Sequence, residues 1–527
     1  MATAAAGDTV FDPKRDRLVI IASSLGTIFE WYDFFLYGIL AALLGKLFFA
    51  TGNPQTELLF SLFAFGVGFF FRPMGAVVFG YFGDKIGRKY TFLVTIVLMG
   101  GATAAIGLLP TYADVGIFAP ILLLFLRALQ GLALGGEYGG AAIYVAEHAP
   151  PGKRGMYTSW IQVSVAVGFL LCLVVVLGCR RALTPEEFNA WGWRIPFLLS
   201  LAMLAISIYI RLKLSESPVY QAMKASGTTS KNPLADSLRE PGNIGRVLTA
   251  LFGVAAGLTV VYYTSQFGTL YFLQGTARVG EEEALLYMAV GALIAAPFYV
   301  GFGWLSDKVG RKKLLLVGYA LSLVLIFPLF RLMADGANPA LAEATQRSPV
   351  VIESPTCETP IFTKPDSECG RALEFLAKRG ISYGKAAASE TALRVGDARV
   401  SGFDAAAYTA ALEAAGYPDK ADPARKQPWK IILAIAAMVA LSAMTYGQVA
   451  AIMVELFPAR IRYTSMSIPY HIGTGYFGGF LPLISQYIVI RTGDAYAGLW
   501  YTIVVVAMAF VVSLLFLPDT KDRDITK

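Results

Sequence analysis

Charged side chains are scarce in this sequence: Asp, Glu, Lys and Arg make up 15% of its 527 residues, where a soluble protein carries roughly a quarter. Beside 56% hydrophobic residues, that shortage excludes a water-soluble globule and places the chain in a bilayer. Histidine occurs only twice, at His148 and His471, and no nucleophile, base and oxyanion donors fall at catalytic spacing. An enzyme is therefore not expected, nor a metal or cofactor, because no motif for either is found. The net charge of +7 does not mark a nucleic-acid protein, since the basic residues lie in short clusters between apolar runs and form no stripe. A removable leader is also not evident: Lys14, Arg15 and Arg17 run straight into an apolar stretch too long for a signal sequence, so the first span is expected to stay. Of the four cysteines, Cys172 and Cys179 fall inside an apolar run, whereas Cys357 and Cys369 fall in a long polar insert. Only the second pair invites a disulfide.

What the sequence does have is apolar runs of helix length. Inside lipid only helices and closed barrels satisfy their own backbone, and these runs are not the ~10-residue alternating segments that barrels use. Twelve spans are expected, at about 18–48, 57–80, 90–109, 116–146, 157–179, 191–213, 247–273, 283–304, 313–334, 429–454, 465–490 and 495–517. Lys and Arg concentrate in alternate connections: Lys85, Arg88 and Lys89 after the second span, Lys153 and Arg154 after the fourth, Arg211 to Arg246 after the sixth, Lys308 to Lys313 after the eighth, and Arg460 and Arg462 after the tenth. By the positive-inside rule these connections and both termini are cytoplasmic.

The turn Gly80-Tyr-Phe-Gly-Asp84-Lys-Ile-Gly87-Arg88-Lys89 reappears 223 residues later as Gly303-Trp-Leu-Ser-Asp307-Lys-Val-Gly310-Arg311-Lys312. Such a repeat implies internal duplication. Residues 1–213 form one six-helix bundle, 214–246 a cytoplasmic linker, and 247–527 the second bundle. Glu147 with Pro150 and Arg154 after the fourth span matches Glu455 with Pro458 and Arg460 after the tenth, now at an offset of 308. The 85-residue difference between the offsets marks an insertion, 335–428, between the ninth and tenth spans. It lies outside, with short amphipathic helices expected near 372–379 and 404–415. Both a lid or partner-docking element and a tolerated loop insertion fit it.

Within the repeated turn, glycines allow the tight backbone, Asp84 or Asp307 can accept from a facing helix N-terminus or an arginine, and Arg88 or Arg311 can anchor the loop. The signature resembles that of the major facilitator superfamily. Four further stretches, Gly26 to Gly38, Phe71-Arg72-Pro73-Met74-Gly75, Gly135-Gly-Glu137-Tyr138-Gly-Gly140 and Trp191 to Phe197, are similar to the metabolite:proton symporter branch, which includes carriers of proline and betaine, α-ketoglutarate, citrate and shikimate. The resemblance covers essentially the whole chain except the insert. It implies an all-α membrane protein of twelve transmembrane helices in two pseudo-symmetric six-helix bundles, Gly80, Asp84, Gly87, Arg88, Asp307, Gly310 and Arg311 serving as conformational latches.

Glu30 and Asp33 share one face of the first span, where a carboxylate costs ~2.5–3.5 kcal/mol to insert, so both point to a polar cavity and to proton exchange. Arg127, in Arg127-Ala-Leu-Gln130-Gly131, resembles a fourth-helix motif linked to proton transfer, and Glu137 joins this set. Arg72 is either a fork for an anion or a residue that snorkels to an interface. Tyr32, Tyr138, Gln162, Tyr262 and Gln266 complete the candidate substrate site with it. His471 is read as a satisfied structural histidine. The fifth span lacks the Gly-x3-Gly-Pro pattern that resembles exporters. The expected function is proton-coupled uptake of a small carboxylate or zwitterion by alternating access, in a bacterial-type inner membrane, by a monomer whose partners are the lipid bilayer and its substrate. An efflux antiporter and a nutrient sensor are the rivals.

Overall fold

The computed structural model describes residues 13–86, 88–136, 138–213, 233–357, 366–418 and 421–525. Among the described residues twelve helical passes follow the expected spans, eight of them long and apolar enough to cross a membrane, or ten with two bent pairs. Span 1 is Pro13–Ile39 bent by 63° into Ala41–Phe48, span 2 covers Pro54–Phe79, span 3 Arg88–Leu108 and span 4 Phe118–His148. Span 5 is Arg154–Ala182, span 6 the bent pair Pro185–Gly192 and Arg194–Ile210, and span 7 Asn243–Thr276. Span 8 is Glu281–Val309, span 9 Arg311–Ala337, span 10 Pro428–Leu456 and span 12 Leu499–Phe516. Span 11 begins as Arg462–Ile472, loosens into a π turn over Gly473–Gly479 and resumes as Leu481–Thr492.

Two local features decide what reaches the interior. Pro73 has no N–H to return to the preceding turn, and span 2 breaks at Phe71 before restarting at Arg72. Spans 2 and 4 then cross almost backbone to backbone, since a Cβ at Gly131 or Gly135 would collide with the carbonyl of Gly68 or Arg72. Small residues are what permit such an approach in a membrane helix pair. The crossing carries Arg72 and Arg127 inward, both fully buried.

Between Ala337 and Pro428 the chain builds a separate α/β unit. Helices Glu368–Lys378 and Ala405–Ala414 match the sequence reading, capped by Ser367 and Asp404. A four-stranded sheet adds to it: β1 (Val350–Ser354), β2 (Tyr383–Ala387), β3 (Ala392–Val395) and β4 (Ala398–Ser401), in the order β2-β1-β3-β4. Only the β1–β2 pairing is parallel, with helix Glu368–Lys378 between the two strands in sequence. Ile352, Leu373, Leu376, Leu393 and Tyr408 make its own core. Cys357 and Cys369 are joined by a disulfide, their Cα atoms 5.5 Å apart.

Candidate functional site

Arg127 meets no carboxylate among the described residues. Its guanidinium donates to the carbonyls of Ala64 (3.4 Å) and Phe65 (3.1 Å) and to Gln130 Oε1 (2.7 Å), under the rings of Phe34 and Tyr37 at 4.5 Å each. Gln130 Nε2 in turn donates to Thr103 Oγ1 at 2.7 Å, and the Asp33 carboxyl lies beside that hydroxyl. The Asp33 carboxyl is thus two side chains away from Arg127, reached through Gln130 and Thr103. The guanidinium instead lies over two main-chain carbonyls inside span 2, against Gly68, where a Cβ would meet it. Glu30 is buried, and neither its Oε1 nor Oδ1 of Asp33 has a hydrogen-bond partner among the described residues.

Arg72 is the opposite case. It is 0% exposed, so it does not snorkel, and none of its three guanidinium nitrogens has a hydrogen-bond partner among the described residues. Its guanidinium carbon stands 5.4 Å from the rings of both Trp31 and Phe69, and Tyr138, Tyr263, Tyr446, Tyr470 and His471 are its electrostatic neighbours. The hydroxyls of Tyr262 and Tyr263, Oε1 of Gln162 and of Gln266, the whole Gln448 amide and both ring nitrogens of His471 are likewise buried and unpaired. Buried polar groups are almost always satisfied, and a lone buried charge costs several kcal/mol. So many unmet donors and acceptors buried together with one cation make a polar centre, the chamber, that an anionic or zwitterionic guest would complete.

A layer of four side chains floors this chamber. Gln162 donates to Tyr138 Oη at 2.9 Å, Tyr446 and Tyr470 share a hydroxyl–hydroxyl bond of 2.7 Å, and the rings of Tyr138 and Tyr470 stack at 3.7 Å. On the side of the Lys/Arg-rich turns, Asp307 accepts from the backbone N–H of Gly155 (2.8 Å) and Met156 (2.9 Å), and Arg311 bridges Asp307 (2.7 Å) and Glu455 (3.2 Å). Gly310 takes the left-handed φ of 103° between them. On the side of the insert, Tyr271 donates to the Gly38 carbonyl (2.7 Å), the Phe267 ring fills the space over Gly38, and Arg180 pairs with Glu281. Contacts between the two halves thus lie on both sides of Arg72.

Tyr32, expected in the site, turns out of it: its hydroxyl donates to the Pro196 carbonyl of span 6 at 2.8 Å. His471, read as satisfied, has no hydrogen-bond partner on either nitrogen among the described residues. Gly80, Asp84, Gly87 and Arg88 of the first latch and Glu137 lie outside the residues whose side chains are described. Tyr446, Tyr470 and Gln448 are site residues that sequence reasoning missed. A signal existed: at the offset of 308, Tyr138 maps onto Tyr446 and Gln162 onto Tyr470, so the two bonded pairs are copies of each other. Among the described residues, no cluster of three His, Cys, Asp or Glu side chains could hold a metal.

A family profile described as "Sugar (and other) transporter" matches residues 18–249 and 406–527. The shikimate transporter of Escherichia coli is 37% identical over 321 residues, 60% of this chain and 72% of the relative. The proline/betaine transporter of Salmonella typhimurium is 36% identical over 334 residues, 62% of this chain and 66% of the relative. In fold, the D-xylose-proton symporter is similar at a TM-score of 0.60 with 17% identity, covering 96% of this chain and 99% of that one. The profile spans more than half of the residues, and the chain therefore belongs to the family of sugar and other transporters and is a multi-pass membrane transporter.

Proposed function

We propose that the chain imports a small organic carboxylate, or a zwitterion bearing one, together with a proton. The observation that carries this reading is Arg72, a fully buried guanidinium with no hydrogen-bond partner among the described residues. A planar fork of this kind suits a carboxylate in two-point contact. Shikimate, proline and betaine, named for the relatives, each carry a carboxylate, which supports the choice.

Asp33 is the proposed proton carrier. A hydroxyl rotor can donate to one neighbour or another. The Thr103 hydroxyl donates to the Met99 carbonyl at 2.9 Å, leaving a lone pair for a protonated Asp33; when Asp33 ionises, the hydroxyl can swing round to it. Gln130 and Arg127 would register that swing, which links proton state to the crossing of spans 2 and 4. Glu30, and Glu137 by sequence, are the further acidic candidates. Two six-helix halves, 1–213 and 247–527 joined by the linker 214–246, rock about the chamber so that the latch end and the insert end open in turn. Both termini face the cytoplasm of a bacterial-type inner membrane, the insert 335–428 faces outward, and the working unit is a monomer that needs no cofactor besides the proton.

Proteoliposomes test the reading. Shikimate, α-ketoglutarate, proline and betaine are offered in turn, and inward movement of the carried compound should acidify the lumen. Alkalinisation would make the chain an antiporter, and binding without either change would make it a sensor.

A further inference from the structure

A cleft of about 450 Å³ opens at the insert end, where four parts of the chain meet, the end of span 11 with Gln486 and Val489 forming its back. Lys46 and Gln55, from the end of span 1 and the start of span 2, form one wall; Tyr271 and Arg278, at and just past the end of span 7, form another; Lys378 and Ser382 of the insert form the third. Three of its lining residues are cationic and none is Asp or Glu. Lys378 has a carboxylate partner of its own, Glu374 at 2.7 Å, but Lys46 and Arg278 have none among the described residues. Lys385, just behind the rim, is held below the ordinary lysine value, by burial first and then by the charge of Arg491.

The insert is fastened to the second half. Arg278 donates to the Lys378 carbonyl (3.0 Å), Tyr383 N–H to the Gly493 carbonyl (3.0 Å), Ala495 N–H to Ser382 (3.2 Å), and Gln427 N–H to the Gly336 carbonyl (2.8 Å). Arg278 is the one non-glycine residue at positive φ among the described residues, at 56°. The wall carrying Lys46 belongs to the first half, so the cleft widens or narrows as the halves rock. Tyr271 lines the cleft and its hydroxyl closes on Gly38; eight residues back along span 7, about 12 Å of helix, stands Tyr263 beside Arg72.

We propose that this cleft is a second, outer binding site, an anteroom in which Lys46 and Arg278 collect the organic anion before Tyr271 and Phe267 admit it to Arg72. The proposal rests on the outward orientation and anionic substrate argued above. Clefts lined by one sign of charge concentrate the opposite ion and raise its arrival rate. The insert contributes by making a groove out of what would otherwise be an open rim.

The test does not depend on knowing the substrate. In a Cys179→Ser background reconstituted in zwitterionic lipid, which offers no anionic headgroup, Gln55→Cys is labelled with an anionic and a cationic methanethiosulfonate. The anionic-to-cationic rate ratio should fall about 10-fold when Lys46→Gln and Arg278→Gln are introduced, the low end of the focusing range, and should collapse equally in high salt. An unchanged ratio overturns the anteroom. Uptake supplies the second arm: Lys46→Gln alone should raise KM for the carried anion at low ionic strength and leave kcat and high-salt KM unaltered, whereas an unaltered low-salt KM overturns the collecting role. If the wild type carries no anion, the proposed function fails while the labelling ratio still decides whether the basic cleft exists.

Discussion

Arg154 and Glu455 meet at 2.8 Å across 301 residues of sequence, one at the start of span 5 and the other at the end of span 10. The same two positions exchanged between halves, Glu147 and Arg462, face each other at 3.6 Å. The offset of 308 relates Glu147 to Glu455 and Arg154 to Arg462, so duplication made the two pairs reciprocal. Arg460, which the sequence pattern matched to Arg154, instead pairs with Glu240 at the surface.

Glu455 is the keystone of this end because Arg154, Arg311 and Thr520 all converge on it. Glu455→Gln leaves the buried Arg311 with Asp307 alone and takes the carboxylate from the half-buried Arg154, and breaking a buried pair costs about 3–5 kcal/mol. The closed arrangement at this end should therefore lose population. A cysteine at Ser467, buried against Gly139, is expected to react with a membrane-permeant thiol reagent many times faster in the Glu455→Gln protein. Equal reactivity in the two proteins would show that the network does not hold this end shut.

Arg72→Lys keeps the charge and loses the planar fork. For a carboxylate substrate, equilibrium binding should weaken about 30-fold or more, the equivalent of the ~2 kcal/mol lower bound for truncating a buried charge pair. Arg72→Gln should bind no better than the lysine variant. Undiminished affinity in both would remove Arg72 from the chamber's chemistry and leave it a packing partner of Trp31 and Phe69.

The pattern of what could be read in advance follows from the duplication. Helix number and span positions were legible because apolar runs of this length have one solution in lipid. The latch chemistry was legible at Asp307, since an acceptor facing a helix N-terminus is a local property of the turn. By contrast, the sheet of the insert escaped notice: its strands are four or five residues long, and the turn Gly396-Asp397 between β3 and β4 carries the hairpin signal in only two positions. Partners could not be read either. Whether Arg127 or Arg72 finds an acceptor depends on which neighbouring helix face it meets, and Tyr32 and Tyr138, equally placed in the sequence, end on different partners, the Pro196 carbonyl and Gln162. Where the halves are alike, as at Tyr138 and Tyr446, the residues build the chamber's floor; where they differ, the chemistry is one-sided, because the matched positions of Arg72 and Arg127 are Ala295 and Ile435.

The insert offers a check on orientation. A bond between Cys357 and Cys369 persists only in an oxidising compartment, and closing a short loop is worth about 2–4 kcal/mol to the unit that contains it. Protein taken from membranes under alkylating conditions should gain no label at these cysteines until it is reduced. A non-permeant label at Ala421→Cys should react in intact cells. Free Cys357 and Cys369 thiols in untreated protein, or a silent Ala421→Cys, would put the insert on the other side of the membrane.

Coupling is the last prediction. If Asp33 carries the proton, Asp33→Asn should abolish uphill uptake but keep substrate exchange between equilibrated compartments, because exchange needs no net proton movement. Glu30→Gln is the comparator, and the one of the two that loses only uphill uptake names the carrier. Thr103→Val tests how the signal leaves Asp33. Valine keeps the shape and removes the hydroxyl that Gln130 donates to at 2.7 Å, so Arg127 and Gln130 keep their own 2.7 Å bond but no longer register whether Asp33 holds a proton. Exchange should persist while the proton-to-substrate ratio, read from paired pH and tracer measurements, falls below that of the wild type. A Thr103→Val protein with an unaltered ratio would show that Asp33 acts without the relay, and unimpaired uphill uptake in both carboxylate variants would move the proton site to Glu137.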